Sequence, residues 1–216
     1  GALDEPGVMV TASHNPKGYN GIKMCRAGAA PVGAESGLVE IKALAEAPPA
    51  RGAQPGRVDV VDILPGYVDH VISVIDPTRI APLRVVADGG NGVAGVAVPQ
   101  VFARVPAELT GLYLEPDGTF PNGIPNPLLP ENRQATADAV LQHGADVGIA
   151  WDGDFDRCFL FDERGTFIEG YYIVGLLAAR TLARHPGSKI VHDPRLTWNT
   201  IEVVKELGGE PIQCKS

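Results

Sequence analysis

A chain of 216 residues, 44% of them apolar and 20% charged, has the composition of a globular protein that buries a core, which excludes disorder as its ordinary state. The net charge of −8, with no face rich in Lys and Arg, excludes nucleic acid as a partner, and three separated cysteines without C-x-x-C spacing exclude a disulfide framework and a zinc site. No apolar run is long enough to cross a bilayer and the start resembles no targeting segment, so a cytoplasmic chain without a membrane partner is expected.

Residues Gly7 to Val10 read as a buried strand feeding a polar loop, Thr11 to Pro16, where Pro16 blocks regular structure. Tyr19-Asn20-Gly21 turns into a second strand ending at Met24. Glu35 to Ala47 has helical spacing, is stopped by Pro48-Pro49, and is followed by a linker from Ala50 to Arg57. Ile63 to Ile75 predicts a helix, Leu83 to Ala87 a strand, Asp88 to Gly92 a turn and Val96 to Ala103 a helix. Glu115 to Asn132 is rich in Pro, Gly and Asn; a helix at Arg133 to His143 and strands at Val147 to Trp151 and Cys158 to Asp162 follow it. Helix at Tyr172 to Arg184, strand at Lys189 to His192, helix at Trp198 to Leu207 and strand at Pro211 to Cys214 complete the series. Alternation of strand and helix gives an α/β fold with mixed sheets and flanking helices. Three domains are expected, at 1–62, 63–164 and 165–216. Because both ends read as cut, the first and third are expected to be incomplete and the chain a fragment.

Asp152-Gly153-Asp154-Phe155-Asp156-Arg157 carries three carboxylates at alternating positions in the tight connection between two apolar strands. Three hard oxygen donors suit a divalent cation such as Mg²⁺ and leave coordination positions for a phosphate oxygen, whereas without a cation they repel one another. Three other readings fit less well. An EF-hand loop needs Gly where Arg157 stands, and helical flanks. A haloacid-dehalogenase-type phosphatase motif usually continues with Thr or Val where Asp156 stands, and a Ser-His-Asp hydrolase lacks its G-x-S-x-G elbow. In the loop Thr11 to Pro16, Ser13 is followed by His14, and a serine needs a base, a lowered pKa or a metal to act as nucleophile. Lys23 closes the segment after it, and a lysine near other cations can lose its proton for general base work.

With these residues in place the chain resembles the α-D-phosphohexomutase superfamily, most closely its bacterial phosphomannomutase branch. Thr11-Ala12-Ser13-His14-Asn15-Pro16 resembles the phosphoserine loop, Tyr19 to Lys23 the lysine segment and Asp152 to Arg157 the metal loop. Asp117 to Pro127 resembles the interdomain signature, and His192 to Thr200 a third-domain segment. The resemblance implies a multi-domain fold and a phosphorylated Ser13 that joins Asp152, Asp154 and Asp156 around Mg²⁺. It implies Lys23 as general acid/base, His14 as an active-site helper, and Arg157 and Arg195 as substrate contacts. Its implied reaction interconverts mannose 6-phosphate and mannose 1-phosphate, with glucose phosphates as a further substrate pair and hexose 1,6-bisphosphate as intermediate and activator; a glucosamine-phosphate mutase is the alternative. Phe155 stands where the superfamily commonly has Gly, which favours mannose over glucosamine phosphate. The family's opening arginine, sugar-reading loop and phosphate-binding fourth domain are missing from these residues. Little or no mutase turnover is therefore expected of the chain alone, with a non-catalytic metal and phosphate binder and a phosphatase as rivals. Oligomeric state is not read from the sequence.

Overall fold

The computed structural model describes residues 4–48, 52 and 56–215. Most of the linker expected from Ala50 to Arg57, and Pro49 at the end of the first helix, lie outside the described residues.

Strands β1 (Gly7–Val10), β2 (Ile22–Arg26) and β3 (Ala30–Pro31) form an antiparallel sheet, followed by helix α1 (Leu38–Glu46). The register sets Val10 opposite Ile22 and Met9 opposite Lys23, so Lys23 rises beside the loop that joins β1 to β2. Helix α1 starts later than its apolar spacing predicts. Ala34–Ser36 forms a 3₁₀ turn and Gly37 interrupts it at φ 128°, a backbone state that only glycine adopts readily.

Helix α2 (Leu64–Ser73) leads to β4 (Arg84–Asp88), α3 (Ala94–Phe102), β5 (Glu108–Leu112), α4 (Gln134–His143), β6 (Val147–Trp151), β7 (Cys158–Phe161) and β8 (Phe167–Ile168). The five strands make one mixed sheet in the order β5-β4-β6-β7-β8. The first three are parallel, and β7 runs antiparallel to its neighbours β6 and β8. Helix α4 covers one face, where Val86, Val140 and Phe161 are fully buried together; α3 covers the other through Ala94 and Val98, with α2 beside it. Strands buried on both faces read as near-continuous apolar runs, which is why β4 and β6 were legible. Strands β3, β5 and β8 were not expected. The first and last have two residues each, and β5 is an edge strand with Gly111 inside it, which weakens the strand pattern.

The chain continues as α5 (Gly170–Arg184), β9 (Lys189–His192), α6 (Trp198–Glu206) and β10 (Glu210–Gln213). The two strands are parallel, and Ala178, Leu182 and Val204 form a small core against Ile190. No helix among the described residues is long and apolar enough to cross a membrane.

In the five-stranded sheet the chain leaves β4 toward β5 on one side and returns to β6 on the other. Outside the carboxyl ends of such neighbouring strands the connections diverge and open a crevice, the usual place for a ligand in an open α/β sheet. The loop after β4 and the loop after β6 both lie there.

Candidate active site

The acidic loop begins where β6 ends, and the β6–β7 hairpin reverses the chain around it. Asp152 is fully buried. Its carboxylate accepts from the Arg157 backbone N–H at Oδ1 (3.0 Å) and from Arg157 Nε and Nη2 at Oδ2 (2.9 and 2.6 Å). Burial pushes the Asp152 carboxyl up, and the Arg157 hydrogen bonds and charge oppose the rise. Arg157, expected from the family resemblance to touch substrate, here donates to the loop's own buried carboxylate. A buried charge requires that partner.

Asp154 and Asp156 face the first sheet. Lys23 Nζ donates to Asp154 Oδ2 at 3.0 Å and to Asp156 Oδ2 at 2.9 Å. Easy proton loss was expected of a lysine beside other cations; the neighbours the structure gives Lys23 are these two carboxylates. Hydrogen bonds to Asp156 and then Asp154 raise the Lys23 pKa, so Lys23 is an ammonium here. Burial pushes the Asp154 carboxyl up, but the hydrogen bonds from Lys23 and Thr11 outweigh it and hold Asp154 below the usual range.

The serine loop reaches the same place. Thr11 Oγ1 donates to Asp154 Oδ2 at 2.9 Å, across 143 residues of chain, and accepts from the Ser13 backbone N–H at 2.9 Å. Ser13 has φ 55°, the left-handed region a serine adopts only when its surroundings impose it, and its Oγ lies 3.2 Å from His14 Nδ1. The contact of His14 with Ser13, only adjacent in sequence until now, is therefore spatial. The loops also meet through backbone: a Cβ on Gly153 would stand 2.7 Å from the Ser13 carbonyl oxygen.

The donor set suits a divalent cation. One carboxylate oxygen from each of Asp152, Asp154 and Asp156 lies within 4.8 Å of the others, and Asp154 Oδ1 is buried without a hydrogen-bond partner. A buried carboxylate oxygen left unpaired is costly, and an ion among hard oxygen donors satisfies it.

Arg195 lies elsewhere. It is exposed and grips Asp193 in a fork, Nε to Oδ1 at 2.8 Å and Nη2 to Oδ2 at 2.7 Å, holding that carboxyl at about 2. Arg157 and Arg195 nevertheless line one cavity of about 440 Å³, where β7, β8 and α5 meet the loop after β9. Sequence reading missed the parts played by Thr11 and Gly153. A single Thr-Ala-Ser stretch, and an Asp-Gly pair that also occurs at Asp88 and Asp117, carry no mark of which distant loop they will touch.

Comparison with known proteins bears on the same residues. Two family models match, described as phosphoglucomutase/phosphomannomutase alpha/beta/alpha domain I over residues 4–49 and domain II over residues 65–165. Phosphohexose mutases of Xanthomonas campestris are 54% identical over 97% of this chain and 47% of their own length. A phosphomannomutase of Escherichia coli K12 is 53% identical over 97% of this chain and 48% of its length. The chain spans about half the length of the curated relatives it matches. A phosphoglucomutase/phosphomannomutase family protein of Burkholderia thailandensis superposes with a TM-score of 0.88 at 35% identity, covering 98% of this chain and 45% of that one.

Proposed function

The chain belongs to the phosphoglucomutase/phosphomannomutase family, and from that premise we propose that its serine and acidic loops form the phosphoryl-transfer centre of a Mg²⁺-dependent mutase acting on mannose phosphates. The observation that carries the reading is the docking of Thr11 on Asp154, which brings the Ser13 loop against the acidic loop from the far end of the chain. Relatives with about half their length in common supply the substrate class, and the name phosphomannomutase among them favours mannose over other hexoses.

Mg²⁺ held by Asp152, Asp154 and Asp156, together with an oxygen of phosphorylated Ser13, would neutralise charge on the transferring phosphoryl group. The chain's own groups do the rest. A sugar hydroxyl oxygen bonds to phosphorus, the bond from phosphorus to Ser13 Oγ breaks, the hydroxyl proton is lost and the serine oxygen gains one. The bisphosphorylated sugar then returns its other phosphoryl group to Ser13 by the reverse exchange. His14 Nδ1, 3.2 Å from Ser13 Oγ, is placed to exchange a proton with it. Lys23, an ammonium beside the serine loop, serves as acid and as fixed positive charge, and takes the base role only after giving up its carboxylate partners. Arg157 holds the Asp152 carboxylate in place through its two side-chain hydrogen bonds and is engaged there rather than with sugar.

The test is transfer itself. Incubating the chain with Mg²⁺ and mannose 1,6-bisphosphate, then mapping phosphate by peptide mass, is expected to place it on Ser13 and to find none in Ser13→Ala. Equal labelling of Ser13→Ala would overturn the assignment.

A further inference from the structure

Phe155 sits in the middle of the acidic loop at φ 66°, a left-handed conformation that costs a bulky residue and suits glycine. The strain is offset where its side chain goes. The ring is partly buried against Ala87, Ala94 and Val98, on the face of the sheet that α3 covers. It lies 5.4 Å from the Trp151 ring, which precedes Asp152 and packs against the same cluster. Ring-to-ring contact of this kind adds to the burial of both.

A second contact fixes the same loop to the same helix start. The Val93 backbone N–H donates to the Gly153 carbonyl at 3.1 Å, and a Cβ on Gly92 would stand 2.6 Å from that oxygen, so the two backbones touch. The turn Asp88 to Gly92, which the proposed reaction leaves without a role, is thereby the surface on which Gly153 rests. Gly153 in turn touches the Ser13 carbonyl on its other side.

We infer that Phe155 is a positioning residue that anchors the acidic loop to the start of α3 and so sets where Gly153, and through it the Ser13 loop, can sit. The side chain works through the core and not by touching sugar. Its link to catalysis rests on the reading of Asp152, Asp154 and Asp156 as the metal site, but the anchoring does not.

The experiment therefore needs a readout without metal. Amide hydrogen exchange of Val93, whose N–H is closed by the Gly153 carbonyl, is measured in Phe155→Gly, which relieves the backbone strain, and in Phe155→Leu, which keeps an apolar anchor. Mg²⁺ affinity is measured beside it by calorimetry. Phe155→Gly is expected to lose about tenfold in Val93 protection, with β4 and β6 amides unchanged, and to bind Mg²⁺ about tenfold more weakly; Phe155→Leu should stay within about threefold of the parent in both. Val93 protection unaltered in Phe155→Gly would overturn the inference even if that variant is more stable. A parent that binds no Mg²⁺ would instead overturn the metal reading, with the exchange result still deciding the anchor.

Discussion

The two halves of the site are built differently. The acidic loop springs from a sheet with helices on both faces and fully buried side chains at its centre, whereas none of the described residues from 4 to 48, Ser13 among them, is buried. One half is held by packing. The other is held to it by a few polar contacts, Thr11 to Asp154 and Lys23 to Asp154 and Asp156, and by the close backbone approach at Gly153. On the proposed reading, charge preorganised on a packed scaffold receives a nucleophile docked onto it from an exposed loop.

Breaking the rigid half should have the largest effects. Asp154→Ala removes the carboxylate that carries both the unpaired buried oxygen and the Thr11 contact, so Mg²⁺ affinity in a calorimetric titration is expected to fall at least about 100-fold. Unchanged affinity would show the metal assignment to be wrong. Arg157→Met leaves the fully buried Asp152 without its counter-charge and is expected to cost about 3 kcal/mol in denaturant unfolding. A loss below about 1 kcal/mol would mean that Arg157 is free for substrate after all.

The exposed half should respond more weakly and, in one case, in the opposite direction. Lys23→Met removes an exposed ammonium that competes with a cation for Asp154 and Asp156, so Mg²⁺ binding should tighten by about threefold to tenfold while mutase turnover falls. Weaker Mg²⁺ binding in that variant would contradict the competition. The same ion pairs give a pH dependence. Lys23 has a folded pKa above 10.5, so its contribution to docking is complete below that value and is lost as pH rises through the folded pKa. Asp154 has a folded pKa below 3.8, so its contribution is complete above that value and is lost as pH falls through the lowered one. Protection of the Thr11 amide, which closes on the Gly21 carbonyl at the base of the serine loop, should accordingly be flat across neutral pH and fall only at the two extremes.

How much of this was legible in the sequence follows from the same contrast. The apolar runs at Val85 to Ala87 and Val147 to Trp151, and the alternating acids after them, expose a buried strand and its ligand loop because period and composition are local signals. The α/β class and the family resemblance came from such signals. Partnerships did not. That Lys23 meets Asp154 depends on how the first sheet lies against the second, and that Arg157 turns back onto Asp152 depends on Asp152 being fully buried, which three neighbouring acids in a turn do not suggest. Arg195 stands two residues from Asp193 and pairs with it, a local partnership that its implied role as a substrate contact does not contain. The left-handed backbone at Phe155 is one that glycine adopts without cost. Phenylalanine there shows its purpose only once α3 is seen beneath it.

The claim that the two halves make one centre is tested most directly by titrating Mg²⁺ into the chain with Ser13 unmodified and with Ser13 phosphorylated. If the serine loop docks on the acidic loop as Thr11 and Gly153 place it, a phosphoserine oxygen joins the three carboxylates and Mg²⁺ should bind at least about tenfold more tightly to the phosphorylated form. Equal affinity in the two forms would contradict it.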